Sequence, residues 1–199
     1  MKKKIYLLPA IILCVIMSGC GQSPKSSSTE EQKEEKEKKV LIAYYSHSGN
    51  TKAMANQIHE IAGGDLFEII PVTAYPTDHA ECVERGRKEI EEGFKPKLQT
   101  KIDNIASYDI IFVGSPNWCS TIAPPVTAFL SEYDLSGKTV IPFCTHGRGG
   151  LANCFIDMEK LCPNSTMLKG LALPGNQVDS SKVEVEKWLT EIEMAKKSL

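Results

Sequence analysis

From Val40 onward, short apolar runs alternate with segments of helical period. The runs are Val40–Tyr45, Leu66–Ile70, Ile110–Gly114, Val140–Cys144 and Met167–Leu173, each of a length that suits a strand buried on both faces. Between them, Met54, Ile58 and Ile61 mark one helix face, and Val83, Gly86 and Ile90 mark a second more weakly. Val126, Phe129, Leu130 and Tyr133 mark a third. Leu151, Cys154, Phe155, Met158 and Leu161 give the fullest stripe, and Val185, Trp188, Leu189 and Ile192 close the series. Strands alternating with helices predict an α/β fold, a five-stranded parallel sheet covered on both faces. Right-handed crossovers make this a doubly wound, three-layer α/β/α sandwich. Pro142 removes a ladder donor within the fourth run, so it should sit where that strand bends or ends its pairing.

The first residues follow another pattern. "MKKK" is a basic start, Ile5 to Met17 is apolar, and "SGC" ends the run with small residues. The run is too short to span a bilayer comfortably and has the flanks of an export signal. The small residues before Cys20 resemble a bacterial lipobox, in which that cysteine receives lipid and becomes the new N-terminus; Met17 stands where such boxes usually carry leucine. Residues 1–20 are thus expected to be a lipoprotein-type signal peptide, with an uncleaved membrane anchor as the alternative. Either way the protein leaves the cytosol and stays at a membrane surface. Residues 21–38 are Ser-rich, then mixed Lys and Glu, with no large apolar residue. They cannot bury enough surface to offset their ordering entropy and should form a solvated tether to a domain spanning residues 39–199.

Composition is ordinary for a globular domain, and a formal charge of −2 gives no reason to expect a nucleic-acid partner. Beyond Cys14 and Cys20 the cysteines are Cys82, Cys119, Cys144, Cys154 and Cys162. None forms a CxxC pair or a metal-type spacing with histidine, so zinc and thioredoxin chemistry are unsupported. Cys154 and Cys162 flank one helical stripe, about 12 Å of rise apart, too far for a disulfide. Burial as small hydrophobes is the expected role, with Cys119 set apart by its place in a candidate loop.

Ligands of open α/β sheets bind beyond the carboxyl ends of the strands, beside the switch point. That singles out the loops after the first, third and fourth runs. "SHSGNT", Ser46 to Thr51, leads into the first helix. Its hydroxyls and the free N–H groups of a helix start make a pocket for an anion such as phosphate. Gly49 lets the backbone come close, and Asn50 or Thr51 could cap the helix. Capping alone accounts for one or two of these residues and does not need all of them. A P-loop requires GxxxxGK[ST] and a dinucleotide site GxGxxG, and neither is present. In "GSPNWCSTIAPP", Trp118 offers a flat face for a planar ligand, or else plugs the loop; Pro124 and Pro125 suit the start of the next helix. In "CTHGRGG" the glycines permit close approach, while Thr145, His146 and Arg148 are polar groups that either meet a ligand or face solvent.

Together these loops resemble those of the flavodoxin family. "SHSGNT" is similar to its phosphate loop, "YDIIFVGSPNW" with "PPVTAFL" to its third strand, flavin-edge loop and following helix, and "FCTHGRGG" to its fourth-strand loop. "AYPTDHAECVERGRKEI" looks like the second connection of a bacterial flavodoxin-like branch. The resemblance runs from Lys39 to the end and implies strand order 2-1-3-4-5 and noncovalent FMN. On matching positions Ser46, Ser48, Gly49, Asn50 and Thr51 would hold the phosphate. Pro116, Asn117 and Trp118 would line one side of the isoalloxazine, and Thr145, His146 and Gly147 would approach its pyrimidine end. The last run reaches its helix without a long insertion, as in the short type. Where many flavodoxins are acidic around the flavin, this chain places His146 and Arg148.

The resemblance implies an exported, membrane-tethered redox protein in which FMN carries the chemistry. It would serve either as an electron carrier for a redox partner protein or as an FMN-dependent NAD(P)H/quinone reductase with a small quinone-like acceptor. A carrier should react slowly with NAD(P)H, and a reductase directly. A flavin-free surface adaptor lipoprotein is the alternative from another class, and the intact phosphate loop and Trp118 speak against it.

Overall fold

A computed structural model describes residues 38–196. The signal, Cys20 and the tether up to residue 37 lie outside the described residues. The strands are β1 (Val40–Tyr44), β2 (Asp65–Glu68), β3 (Ile110–Trp118), β4 (Thr121–Ile122), β5 (Thr139–His146), β6 (Thr166–Met167) and β7 (Leu171–Pro174). The helices are α1 (Asn50–Ala62), α2 (His79–Glu91), α3 (Pro124–Glu132), α4 (Cys154–Leu161) and α5 (Lys182–Glu191).

The sheet runs β2-β1-β3-β5-β6, with β7 also on β5, and these pairs are all parallel. The expected order 2-1-3-4-5 is therefore present, with the fifth run divided in two and β4 added antiparallel to β3. Alternate strand residues face opposite layers, as a period of two requires. Leu41, Ala43, Ile111 and Val113 pack with Cys82, Phe129 and Met158 from α2, α3 and α4. Ile42, Tyr44, Phe112 and Ile141 pack with Met54, Ile58, Val185 and Trp188 from α1 and α5. Each fully buried Ile or Phe in these layers contributes about 1.5–3 kcal/mol of transfer free energy, which is what holds short helices to the sheet.

Pro142 accounts for the divided fifth run. On one side it stays in register with Val113. On the other, β6 pairs with Thr139 and Val140, and β7 with Phe143 to His146. Leu168 donates to the Val140 carbonyl at 3.0 Å; the next rung needs a donor at position 142, which proline lacks. The edge strand breaks there, as expected for a proline inside a ladder.

Three elements depart from the pattern. α4 starts at Cys154 and not at Leu151, because Ala152 has φ 47°, outside the helical region. α2 buries Cys82, Gly86 and Glu89, a face rotated from the Val83 and Ile90 stripe. β3 continues through Pro116, Asn117 and Trp118, where the sequence predicts a loop, and turns into β4 across Cys119 (φ 49°) and Ser120 (φ 72°). Two left-handed residues between paired strands form the tight hairpin whose twist matches the sheet, although Asn-Gly would be the easier pair.

Candidate functional site

The site lies beyond the carboxyl ends of β1, β3 and β5, where a cavity of about 800 Å³ opens. Its first wall is the turn from β1 into α1. Gly49 occupies the N-cap position with φ 92°, a conformation that favours glycine, and no side chain caps the helix. Neither Asn50 nor Thr51 serves as the cap, so the first N–H groups of α1 remain without a side-chain acceptor. Ser46 Oγ is buried with no hydrogen-bond partner. A buried hydroxyl left unpaired costs roughly 1–3 kcal/mol, so this one calls for an explanation. Ser48 and Asn50 line the cavity. Thr51 does not: it is buried, and its Oγ1 lies 2.8 Å from that of Thr145. That bond ties the first loop to the third. Asn50 packs against Gly175, where a larger residue would displace it.

The second wall is the β3–β4 hairpin. Ser115 is fully buried, and its hydroxyl accepts from the Ala123 N–H at 3.0 Å and donates to the Pro116 carbonyl at 2.8 Å. The hairpin is thereby braced from beneath. Asn117 donates to the Gly150 carbonyl at 2.6 Å, joining the hairpin to the third loop. Trp118 is half-buried in a box of edge-on aromatic contacts, with ring centroids 4.8 Å to Tyr75, 5.6 Å to Tyr45 and 5.7 Å to His47. A Cβ built on Gly86 of α2 would sit 3.0 Å from its ring, so glycine there lets the helix and the indole meet. Trp118 both packs against the core and lines the cavity. The two roles set as alternatives for it thus coexist.

The third wall is the turn after β5. Thr145, His146, Gly147 and Arg148 line the cavity, and the His146 Nδ1–H donates to the Gly147 carbonyl at 2.8 Å. Of the expected site residues, Ser48, Asn50, Pro116, Asn117, Trp118, Thr145, His146 and Gly147 meet at this one cavity. Ser46, Gly49 and Thr51 shape its phosphate-loop side without forming its surface.

An α/β sheet with a polar turn at a helix start, a braced aromatic hairpin and a glycine-rich third turn matches known proteins closely. The family described as Flavodoxin matches residues 39–192. This chain belongs to the flavodoxin family.

Solved structures agree with the family assignment. A Bacteroides uniformis protein assigned as a flavoprotein is 30% identical, with a TM-score of 0.69 over 78% of this chain and 99% of that one. A Lactobacillus acidophilus flavoprotein, solved in complex with FMN, is 28% identical, with a TM-score of 0.60 over 72% of this chain and 98% of that one. A Fusobacterium nucleatum flavodoxin bound to flavin mononucleotide is 15% identical, with a TM-score of 0.52 over 79% of this chain and 98% of that one, a likeness of fold alone. Among curated proteins none matches this chain.

The cavity of this family member also takes in residues that the three loops alone did not reveal. His79, Cys82, Val83 and Gly86 of α2 line the cavity, as do Pro174, Gly175 and Asn176 after β7. The spacing of the first four, at i, i+3, i+4 and i+7, is one helix face, and only that periodicity could have pointed to it. Tyr75 stands behind Trp118. Burial, and the bond it donates to the buried Glu89 carboxylate, push its hydroxyl pKa well above the ordinary tyrosine value. Tyr45 is raised as well, by burial first. Both phenols therefore stay neutral behind the Trp118 ring. The thiols at residues 82, 119, 144, 154 and 162 are free; four are buried and Cys119 is exposed on the hairpin turn. Burial raises the Cys82 thiol, and a bond to Cys154 together with burial raises Cys144. Both stay protonated, in keeping with a packing role. No metal-binding cluster occurs among the described residues.

Proposed function

We propose that this flavodoxin binds FMN noncovalently and transfers electrons at a membrane surface, to which its N-terminal segment delivers and tethers it. The observation that carries the reading is Ser46: a buried, unpartnered hydroxyl beside an uncapped helix start. A phosphate supplies the acceptor oxygens that both lack, without a metal or a lysine. The residues present fit the cofactor. Ser46, Ser48, Gly49, Asn50 and Thr51 form the phosphate turn. Pro116, Asn117 and Trp118 provide an apolar edge for the ring system, and Thr145, His146 and Gly147 lie across from them. The Lactobacillus acidophilus relative solved in complex with FMN supports the same assignment.

When bound, FMN supplies the one- and two-electron chemistry. The chain holds it, shields one edge with the Tyr45–Tyr75–Trp118 box, and sets the local charge. The cavity wall carries Arg148 and, among the described residues, no carboxylate, which favours anionic character in the ligand. Arg148→Ala should lower the two-electron potential, and an unchanged or raised potential would refute the electrostatic part.

Export and lipid attachment at Cys20 rest on the "SGC" pattern after the apolar run. A reductase acting on NAD(P)H and a quinone is the second reading, favoured by the open face that α2 presents to the cavity. Residues 39–199 should purify yellow, or take up added FMN and quench its fluorescence. A colourless protein that leaves added FMN unquenched would overturn the proposal. Rapid NAD(P)H oxidation by the yellow protein would select the reductase, and slow oxidation the carrier.

A further inference from the structure

β2 lies at one edge of the sheet, and the chain continues beyond it in a second, smaller pairing. The Val72 N–H donates to the Lys97 carbonyl at 2.8 Å and the Gln99 N–H to the Ile70 carbonyl at 2.7 Å, with Pro71 opposite Leu98. Residues 69–72 and 97–99 thus form a short antiparallel ribbon past the end of β2. One side of it is covered: Phe67, Ile69 and Leu98 pack into the layer of α2, α3 and α4, and Pro71 is buried beside them. Strand alternation sends Leu66, Glu68, Ile70 and Val72 to the other side, together with Lys97 and Gln99. That side is bare. Leu66 is 40% exposed, Ile70 37% and Val72 56%, three of the six large apolar side chains exposed among the described residues.

The charge on this face is also one-sided. Glu68, the one carboxylate among those strand residues, is paired with Lys52 Nζ at 2.8 Å. Lys97, and Lys95 two residues before it, are exposed and have no ion-pair partner among the described residues. An apolar stripe beside uncompensated lysines complements a bilayer with acidic headgroups. A second copy seated on the same face about a two-fold would bring these lysines into one interface with their own copies. The place of the stripe favours lipid as well. The chain enters the domain at Lys39, whose Nζ lies 4.0 Å from the carboxylate of Asp65, the residue before Leu66. We propose that Leu66, Ile70, Val72, Lys95 and Lys97 form a second membrane contact, docking the β2 edge on anionic lipid beside the point where the tether joins. The tether belongs to the reading given above; the stripe and its charge stand on the fold alone. Leu66 to Val72 spans about 20 Å of strand, so docking this face lays the strands along the bilayer. The cavity at their carboxyl ends then opens sideways, along the membrane surface.

The buried residues of both core layers lie between Leu41 and Leu189, so residues 39–199 carry their own core and can be tested without the tether. The probes are vesicles of equal parts phosphatidylglycerol and phosphatidylcholine, against vesicles of phosphatidylcholine alone, read by co-sedimentation. The anionic vesicles should bind the domain at least about tenfold more tightly. Val72→Asp and Lys97→Glu should each weaken that binding at least about fivefold. Val183→Asp changes the most exposed of the large apolar side chains, 78% exposed and on α5, and should leave binding unchanged. Sedimentation with neither vesicle, equal binding to both, or a Val72→Asp domain that binds no worse than the Val183→Asp one would overturn the proposal. So would a dimer that Val72→Asp dissolves, which would give the face to a second copy. Full-length protein recovered from cells in the soluble fraction sinks the tether instead, and the vesicle test on residues 39–199 still decides the face.

Discussion

Glu89 is the residue whose removal should cost most away from the sheet. The residue is 8% exposed. It accepts a bond from the Tyr75 hydroxyl and another from Arg85 Nε at 2.8 Å. Arg85 in turn donates to the Ala74 carbonyl at 2.8 Å and lies 4.2 Å from the Tyr75 ring centroid. The strap from Pro71 to Asp78 is thus clipped to α2 by one carboxylate and one guanidinium. Breaking a buried ion pair by deleting one partner costs about 3–5 kcal/mol, since the other charge is left uncompensated. Arg85 retains 28% exposure and its carbonyl partners, which places Glu89→Ala at the lower end, about 3 kcal/mol. In a domain of this size that lowers the melting temperature by roughly 6–12 °C. Tyr75→Phe removes one bond while Glu89 keeps Arg85, and should cost about 1–2 kcal/mol. Urea unfolding of residues 39–199 measures both, and a double-mutant cycle gives their coupling. Glu89→Ala costing under about 1 kcal/mol would refute the clip, because no buried charge can then have lost its partner.

Two further substitutions or treatments probe the frame and the rim. A Cβ at Gly114 would overlap the ring of Phe143, which is fully buried on the neighbouring strand. Gly114→Ala should therefore destabilise the domain by about 1–3 kcal/mol or more in urea, and an unchanged midpoint would show that the β3–β5 contact is looser than drawn. With a small aromatic disulfide reagent, native residues 39–199 should react rapidly at one thiol, Cys119, and at the other four only after unfolding. A second fast thiol, read by absorbance and located by peptide mass, would contradict the burial of the rest.

The sheet was legible because it repeats: apolar runs and helical stripes state their own period, and Pro142 even marks where the edge strand divides. What the periodicity misplaced has a common cause. Leu151 fits the α4 stripe, yet Ala152 in a left-handed conformation ends the helix before it. Val83 and Ile90 look like the buried face of α2, but Glu89 is buried in their place because Arg85 and Tyr75 meet it there. A carboxylate reads as surface until its partners are known, and one of these partners comes from a strap outside the helix.

The site divides along the same line. The phosphate turn and the third-strand and fourth-strand turns are local, since each lies within a few residues of its own strand end, and their residues could be named before their contacts were known. Thr51 shows the limit of such naming. The resemblance places it in the phosphate turn, and its hydroxyl meets Thr145, 94 residues away, a contact that braces two loops together. Trp118 shows it from the other side. Whether a loop tryptophan is a plug or a platform depends on what stands behind it, and here Gly86, Tyr45 and Tyr75 hold the indole on one side while the cavity leaves the other open. An edge supported in this way can be flat, apolar and immobile at once, properties that an unsupported loop residue lacks and that binding a ring system requires. The α2 face matters for the same reason: His79, Cys82 and Val83 line the cavity beside Gly86, a position whose small size has no meaning until Trp118 is placed against it.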